Sequence, residues 1–229
     1  MGREATPSIW TRPERAGVGR PAQYSRAEIT AAAIGVADRE GIDAVSMRRV
    51  ATELGTGAAS LYRYVETRDE LLDLMTDTVG GEQPLPDPTG NWVADLVAVG
   101  EGFRTVLRRH PWLPGLVLTR PVIGPNGLTV LEHVLSVLES HPASMTAKME
   151  AFAMLNSVAA GSVQYELSGG SELQERNIAY IRHALTSGAH PRLARLLSQE
   201  SQPSGPAPDP ADRYADVLAR ILTGLLGPA

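Results

Sequence analysis

Residues 46–65 decide the fold, because they read Ser-Met-Arg-Arg-Val-Ala-Thr-Glu-Leu-Gly-Thr-Gly-Ala-Ala-Ser-Leu-Tyr-Arg-Tyr-Val. Ser46 can cap a helix, and the apolar residues that follow it recur at helical spacing. Gly55-Thr56-Gly57 then predicts a turn, and the spacing of Leu61 and Val65 predicts that both side chains face inward. Two short helices joined by a glycine turn are typical of a helix-turn-helix motif.

The flanking residues predict a helix on either side of this motif. Ser25 and Glu28 have the spacing of a capping box, and the helix that they begin should end at Gly41. Thr67 is a candidate cap for a further helix, whose free N–H groups together with Arg68 can bind a phosphate. Residues 25–80 are therefore expected to form a DNA-binding domain, in which the first helix and the two helices of the motif make the three-helix helix-turn-helix unit.

The outward side chains of the motif are the candidates for DNA contact, because the second helix of such a pair enters the major groove. Arg48, on the preceding helix, offers a planar fork of donors to guanine or phosphate. Two alternatives remain open: Tyr62 and Tyr64 as ordinary packing residues, and Arg49 and Arg63 as solvated surface charges. The predicted contact set is Arg48, Thr56, Ala58, Ser60, Tyr62, Arg63, Tyr64 and Arg68.

The stretch from Ser25 to about Val79 resembles the DNA-binding domain of the TetR family of bacterial repressors. The resemblance is carried by Gly41, Ser46, the run Ser60-Leu61-Tyr62-Arg63-Tyr64-Val65, Arg68 and Leu71-Leu72. It implies that operator DNA is contacted by Arg48, Ser60, Tyr62, Tyr64 and Arg68.

Charge is divided unevenly along the 229 residues, whose formal net charge is −5. Residues 1–68 hold ten Arg and eight acids, whereas residues 69–229 hold eleven basic and eighteen acidic residues. A locally positive surface can hold phosphates while an acidic remainder repels nonspecific DNA, so the net sign does not exclude a DNA-binding protein. The chain has no Cys and its first residues lack the apolar core of a signal peptide, which predicts a cytoplasmic protein.

Residues 1–24 are rich in Pro, Gly and Arg and are predicted to form a flexible basic arm. Arg15 or Arg20 of such an arm can enter the minor groove beside the recognition helix. The alternative is a tail that adds only weak charge attraction.

The remainder of the chain is predicted to be helical, after a loop over residues 80–88. Hydrophobic spacing predicts helices over residues 92–109, 115–119, 126–138, 144–167 and 211–226. The middle of the 144–167 segment is apolar nearly all round, which predicts burial on more than one side. With the amphipathic C-terminal helix beside it, this segment suits a four-helix interface in a homodimer. We therefore expect an all-α chain in which residues 90–229 form a helical effector-binding and dimerisation domain.

This C-terminal part resembles the tetracycline-repressor subgroup in Phe103-Arg104, in the break after Leu107 and in Thr119-Arg120-Pro121. The resemblance implies a small-molecule pocket and a repressor that leaves a palindromic operator when its inducer binds. The segment 115–118 lacks the His that the subgroup uses for a drug–magnesium complex, so magnesium tetracycline is not the expected ligand. Candidate pocket residues are Trp92, Phe103, Trp112, Met149, Phe152, Asn156 and Gln164, with plain core packing as the alternative for each.

Two other classes of function are alternatives to a ligand-responsive regulator: an enzyme and a DNA-binding dimer without an effector. An enzyme would need a convergent nucleophile, paired carboxylates or metal-ligand spacing, and the sequence offers none of these, nor any sign of a cofactor or metal site. A DNA-binding dimer without a small-molecule effector is the second alternative. A change in melting temperature with a metabolite library distinguishes it, because a ligand bound only to the folded state must stabilise that state.

Overall fold

The fold is all-helical over the residues that the computed structural model describes, which are 8–13, 24–186, 188–200 and 210–228. The helices are α1 (Arg26–Glu40), α2 (Met47–Glu53), α3 (Ala58–Leu61), α4 (Arg68–Gly80), α5 (Trp92–Arg109), α6 (Leu113–Thr119), α7 (Pro125–Val137), α8 (Met145–Leu167), α9 (Gly170–Leu185), α10 (Pro191–Glu200) and α11 (Pro210–Leu226). A 3-10 turn over Ile42–Ala44 joins α1 to α2. The predicted all-α fold class is confirmed.

The head, residues 24–80, begins its helices at the predicted caps. Ser25 and Glu28 form a complete capping box at the start of α1. The Ser46 side chain accepts a hydrogen bond from the N–H of Arg49, and the Thr67 side chain accepts one from the N–H of Glu70. Each cap satisfies an N–H group that the first turn of a helix leaves without a partner.

Helix α3 is shorter than the sequence pattern suggested. It covers one turn, Ala58–Leu61, and residues 62–64 continue as a hydrogen-bonded turn instead of a helix. Leu61 and Val65 are fully buried, as their four-residue spacing predicted. Gly55, with φ of 67°, supplies the left-handed backbone conformation that the tight connection from α2 requires.

Residues 8–13 pack against the head, in contrast to the flexible arm expected over residues 1–24. Arg26 holds them, since its guanidinium donates to the carbonyl oxygens of Ile9 at 3.1 Å and Arg12 at 2.8 Å, and to that of Tyr64 at 3.0 Å. Ile9 is only 3% exposed. Arg15 and Arg20, the expected minor-groove residues, lie outside the described residues.

The body, residues 81–228, has its helices close to the predicted bounds. The helix predicted over 92–109 is found unchanged, and the other four begin or end within two residues of the prediction. The predictions contained no helix corresponding to α9 or α10. Gly169, with φ of 69°, ends α8 and turns the chain directly into α9.

A buried arginine ties three helices of the body together. Arg104 on α5 is 1% exposed and forms ion pairs with Glu101 at 2.9 Å and with Glu166 of α8 at 2.7 Å. Its guanidinium also lies 4.0 Å from the ring centre of Tyr214 on α11. Burial raises the pKa of the Tyr214 hydroxyl above its ordinary value. The charge is thus held by two carboxylates and an aromatic face, as a buried charge requires.

We expect Arg26→Met to lower the free energy of unfolding by ~1–3 kcal/mol, because four carbonyl oxygens, that of Pro13 included, lose a charged donor. Denaturant unfolding of the full chain measures this change. Arg63→Met, at an exposed position of the same head, is the matched control and should stay within ~0.5 kcal/mol of the wild type. Equal stability of the two variants would contradict the anchoring of residues 8–13 by Arg26.

Candidate DNA-binding surface and effector cavity

The turn after α2 and the start of α3 present small side chains at the surface of the head. Thr56, Ala58 and Ser60 are half-buried, while Tyr62 is 49% exposed and Arg63 is exposed. Small residues let this segment approach base edges closely, and the Tyr62 ring projects beyond them.

Tyr64 does not share this surface. It is 4% exposed and belongs to the core of the head, and its carbonyl oxygen accepts the hydrogen bond from Arg26 Nε. Within the turn over residues 62–64, the Tyr62 side chain is exposed and the Tyr64 side chain is buried. The predicted DNA contact of the Tyr64 side chain is therefore not supported, and the alternative of a packing residue describes its position.

Arg68 is bound to the protein itself. Its Nε donates to the carbonyl oxygen of Val45 at 2.8 Å and its Nη2 donates to that of Ile42 at 2.9 Å. Both acceptors flank the 3-10 turn between α1 and α2, so Arg68 fixes the first turn of α4 against this connection. A phosphate contact by Arg68, as predicted, would have to use the two N–H groups of Nη1 or the second N–H of Nη2.

Arg48 and Arg49 differ in their surroundings although they are adjacent. Arg49 forms ion pairs with Glu40 at 2.6 Å and Glu53 at 2.9 Å, and its hydrogen bond lowers the pKa of Glu40. Arg48 is exposed, and within the described residues no carboxylate lies in ion-pair range of it. Arg48 is thus the arginine of α2 whose charge is open to a phosphate.

The body contains a cavity of about 270 Å³ that α4, α5, α6, α7, α8 and their connecting loops enclose. Its lining is mostly apolar, with few polar side chains, a composition typical of small-molecule sites. The lining residues are Thr76, Asp77, Gly80, Gln83, Phe103, Leu113, Val117, Arg120, Pro121, Val122, Ile123, Gly127, Val130, Met149, Phe152, Ala153, Asn156 and Ser157.

Four of the seven predicted pocket residues line this cavity, namely Phe103, Met149, Phe152 and Asn156. The other three, Trp92, Trp112 and Gln164, lie outside the lining. The difference has a simple cause, since large side chains on an apolar helix face serve packing and joints between helices as well as cavities.

Each of these three side chains has another contact. The Trp92 ring packs edge-on against His141, with ring centres 4.8 Å apart. The Gln164 amide donates to Ser168 Oγ within α8. The Trp112 indole N–H donates to Asp38 Oδ1 of α1 at 2.7 Å, and His110 Nδ1 lies 2.8 Å from the same oxygen. Trp112 therefore belongs to a polar joint between the head and the end of α5.

Helix α4 belongs to both the head and the cavity. It packs against α1, and Thr76, Asp77 and Gly80 near its end form part of the cavity wall. The buried Asp77 carboxylate accepts hydrogen bonds from the backbone N–H of Asn126 at 3.2 Å and of Gly127 at 2.9 Å. Because these are the first N–H groups of α7, Asp77 acts as a cap supplied by another helix.

Arg120 forms a second connection between α4 and the cavity loop. Its Nε donates to Asp73 at 2.8 Å, and its Nη1 lies 3.0 Å from Asp69. The hydrogen bond with Asp73 is the main reason that the pKa of Arg120 is raised.

Sequence patterns gave no sign of Asp77 or Gln83 as cavity residues. Asp77 lies on a helix with several other polar residues, and Gln83 lies in a Gly/Pro-rich loop without periodicity. Arg120 was visible within the Thr-Arg-Pro triplet, although its partners were not.

Neither a cluster suited to a metal ion nor a membrane-spanning helix occurs in the described part of the chain. No group of three or more His, Cys, Asp or Glu side chains there is placed to hold a metal ion. None of the helices in those residues has the length and apolar character needed to cross a membrane.

Known proteins share both parts of this architecture. Residues 29–75 match the family model "Bacterial regulatory proteins, tetR family", and residues 83–227 match "Tetracyclin repressor-like, C-terminal domain". The transcriptional repressor DrrR1 of Streptomyces coeruleorubidus is 32% identical, over 95% of this chain and 83% of its own length. A transcriptional regulator of Saccharopolyspora erythraea is 37% identical over 69% of this chain and 67% of its own.

Solved structures agree with these matches. Apo ActR of Streptomyces coelicolor superposes with a TM-score of 0.75 at 30% identity, covering 89% of this chain and 95% of that one. ActR in complex with actinorhodin gives a TM-score of 0.70 at 30% identity, covering 89% and 97%. The two family models together cover most of the head and of the body, including most of the residues that line the cavity. This chain therefore belongs to the TetR family, and it is a DNA-binding transcriptional regulator and not an enzyme.

Proposed function

We propose that the protein is a homodimeric repressor that leaves a palindromic operator when a small molecule fills the cavity of the body. The observation that carries this proposal is the position of α4. It follows the recognition segment directly in the chain, and its last two turns form a wall of the cavity. A change in the cavity must therefore act on the helix that orients the recognition segment.

The relatives support a ligand-responsive repressor. DrrR1 is named as a repressor, and ActR has been solved with actinorhodin and with (S)-DNPA bound. Apart from its α4 wall, the present cavity lies in the part of the chain that matches the C-terminal domain of tetracycline-repressor-like proteins. A regulator that acts on the bacterial chromosome works in the cytoplasm, and we place the protein there.

The proposed DNA contacts are those of the open surface of the head. Tyr62 and Arg48 supply the long polar side chains, and Thr56, Ala58, Ser60 and Arg63 complete the set. Tyr64 is left out because its ring is buried, and Arg68 is assigned to holding α4 against the turn before α2.

Dimerisation is proposed through α8 and α11. Residues on the side of α8 opposite its buried face form an apolar stripe, Met154, Val158, Gly161 and Tyr165. On α11 the corresponding residues are Val217, Ile221 and Leu225. Met154, Tyr165 and Leu225 are 39%, 52% and 37% exposed, and contiguous exposed apolar surface of this kind marks protein interfaces. To bind both half-sites of a palindromic operator, such a dimer has to hold its two recognition segments ~34–36 Å apart, one turn of DNA.

The DNA contacts are tested with an operator selected from a random duplex pool. Tyr62→Ala and Arg48→Ala should each lower operator affinity about tenfold, because a good contact is worth ~1–3 kcal/mol. If Arg48 binds a phosphate, its loss should also reduce the slope of log affinity against log salt by about one. Tyr64→Phe is the control and should bind as the wild type does. Normal affinity of Tyr62→Ala, or an equal loss in Tyr64→Phe, would contradict the assigned surface.

The cavity is tested by filling it. Ala153→Trp places an indole into the space that the ligand would occupy, whereas Ala98→Trp adds the same group at an exposed position of α5 outside the lining. An organic culture extract that releases the operator from the wild type should release it from Ala98→Trp and fail with Ala153→Trp, as fluorescence anisotropy of labelled operator measures. Release from Ala153→Trp at the wild-type extract concentration would exclude this cavity as the effector site.

The interface is tested by a charge on the stripe of α8. A Cβ at Gly161 meets no atom within 4 Å in the single chain, so Gly161→Glu is tolerated by the protomer and places two like charges at the twofold axis. We expect a monomer in sedimentation equilibrium and loss of cooperative operator binding. Leu128→Glu, at a 56% exposed position of α7, should remain a dimer. A dimeric Gly161→Glu protein would place the interface elsewhere.

A further inference from the structure

The two ionic side chains in the cavity wall are already paired within the protein. The Asp77 carboxylate is 7% exposed and accepts three hydrogen bonds, from the backbone N–H groups of Asn126 and Gly127 and from the Asn126 side-chain amide. The Arg120 guanidinium uses Nε for Asp73, and its Nη1 and Nη2 for the side chain and backbone carbonyl of Asp69. A charged ligand would therefore meet no ionic side chain in the wall that is without a partner in the protein.

Three neutral groups of the wall have hydrogen-bonding capacity left. The Gln83 amide is in a 7% exposed residue and has no hydrogen-bond partner within the described chain. Asn156 donates Nδ2 to the carbonyl oxygen of Phe152, and no described residue donates to its Oδ1. Thr76 Oγ1 is buried without a partner. A buried polar atom without a partner, as Thr76 Oγ1 is, is rare in proteins, and a bound ligand is one of the ways to satisfy it.

The remaining lining offers only apolar contact, with Phe103, Leu113, Val117, Val130, Met149 and Phe152 as its largest contributors. Transfer of an unpaired ion from water to such surroundings costs several kcal/mol even after relaxation of the protein. A neutral molecule meets no such cost and gains from burial of its apolar surface. The volume of about 270 Å³ lies near the lower end of ligand cavities, ~300–1,000 Å³.

We infer that the cavity selects a small, uncharged, mainly apolar molecule, whose hydrogen-bonding group is recognised by the side-chain amides of Gln83 and Asn156. This inference rests on the proposed function, because it specifies the chemical class of the effector. Thr76 adds a hydroxyl on α4 itself, so that a ligand satisfying it contacts the helix that leads back to the recognition segment. Gln83 and Asn156 are the specificity-determining residues of this site.

The charge requirement is tested with 2-naphthamide and 2-naphthoate, which have nearly the same shape and differ by one negative charge at pH 7. We expect 2-naphthamide to bind the full-length protein at least tenfold more tightly in calorimetry and to raise its melting temperature. Ala153→Trp should abolish this binding. Equal or tighter binding of 2-naphthoate overturns the inferred ligand class, and so does failure of the naphthamide to bind at all.

The recognition by amides is tested with Gln83→Leu and Asn156→Leu, which keep approximate size and remove the polar groups. Each should weaken 2-naphthamide about fivefold, the effect of losing one neutral hydrogen bond. Gln164→Leu is the matched control on α8, outside the cavity, and should leave the affinity unchanged. Unchanged affinity in both cavity variants overturns the assignment of Gln83 and Asn156.

These measurements contain no DNA, so they are separate from the test of the proposed function. A preference for 2-naphthoate would leave the cavity as an effector site of different chemistry. Release of the operator from Ala153→Trp by the culture extract would instead remove the cavity from regulation, whichever probe it binds.

Discussion

The hydrogen bonds of Asp77 are the constraint on which the arrangement of head and body depends. A buried carboxylate on α4 has to be satisfied, and the first backbone N–H groups of α7 satisfy it. Gly124, immediately before α7, leaves no room for a Cβ, since one would lie 2.5 Å from the Asp77 carboxyl carbon and 2.6 Å from the Trp10 ring. The start of α7, the end of α4 and the N-terminal segment therefore hold one another in a fixed relation at the edge of the cavity.

Polar contacts also connect the head to the body at two other points. Asp38 of α1 meets His110 and Trp112 at the end of α5, and Asp73 of α4 meets Arg120 in the loop before α7. Hydrogen bonds and ion pairs at partly exposed positions have small net free energies, because water replaces them when they break. Contacts of this kind fix one orientation and still allow another, whereas a tightly packed apolar interface resists displacement.

The sequence predicted those features that depend on local chemistry. The sequence predicted the helix caps at Ser25, Ser46 and Thr67, and it predicted α5 and α8 from their apolar spacing. Each of these features depends on neighbours within a few residues. The difference in burial between Tyr62 and Tyr64 could not be predicted from the sequence, since it depends on where α3 ends. Tyr62 follows the buried Leu61 and Tyr64 precedes the buried Val65, so the spacing alone does not decide which ring is buried.

The cavity was predictable only in part, for a different physical reason. Phe103, Met149, Phe152 and Asn156 lie on helix faces whose inward direction follows from periodicity. Gln83 and Arg120 line the same cavity from loops, where no hydrophobic periodicity indicates which way a side chain points. Trp112 is a large aromatic residue, as pocket residues often are. Its indole N–H nevertheless donates to Asp38 of α1, which connects the body to the head. A local sequence pattern cannot predict a hydrogen-bond partner that is distant in the chain, as Asp38 is from Trp112.

The free energy that the proposed regulation requires is small compared with the free energy that burial of a ligand in the cavity can supply. A ligand shifts the head only by the difference between its affinities for two arrangements of the protein. A tenfold loss of operator affinity requires ~1.4 kcal/mol, which corresponds to a difference of about 60 Å² in buried apolar surface. Thr76, Asp77 and Gly80 are at once part of the wall and part of α4. In the proposed mechanism, a displacement of α4 changes the surface that a ligand can bury, and this couples occupancy of the cavity to the position of the recognition segment.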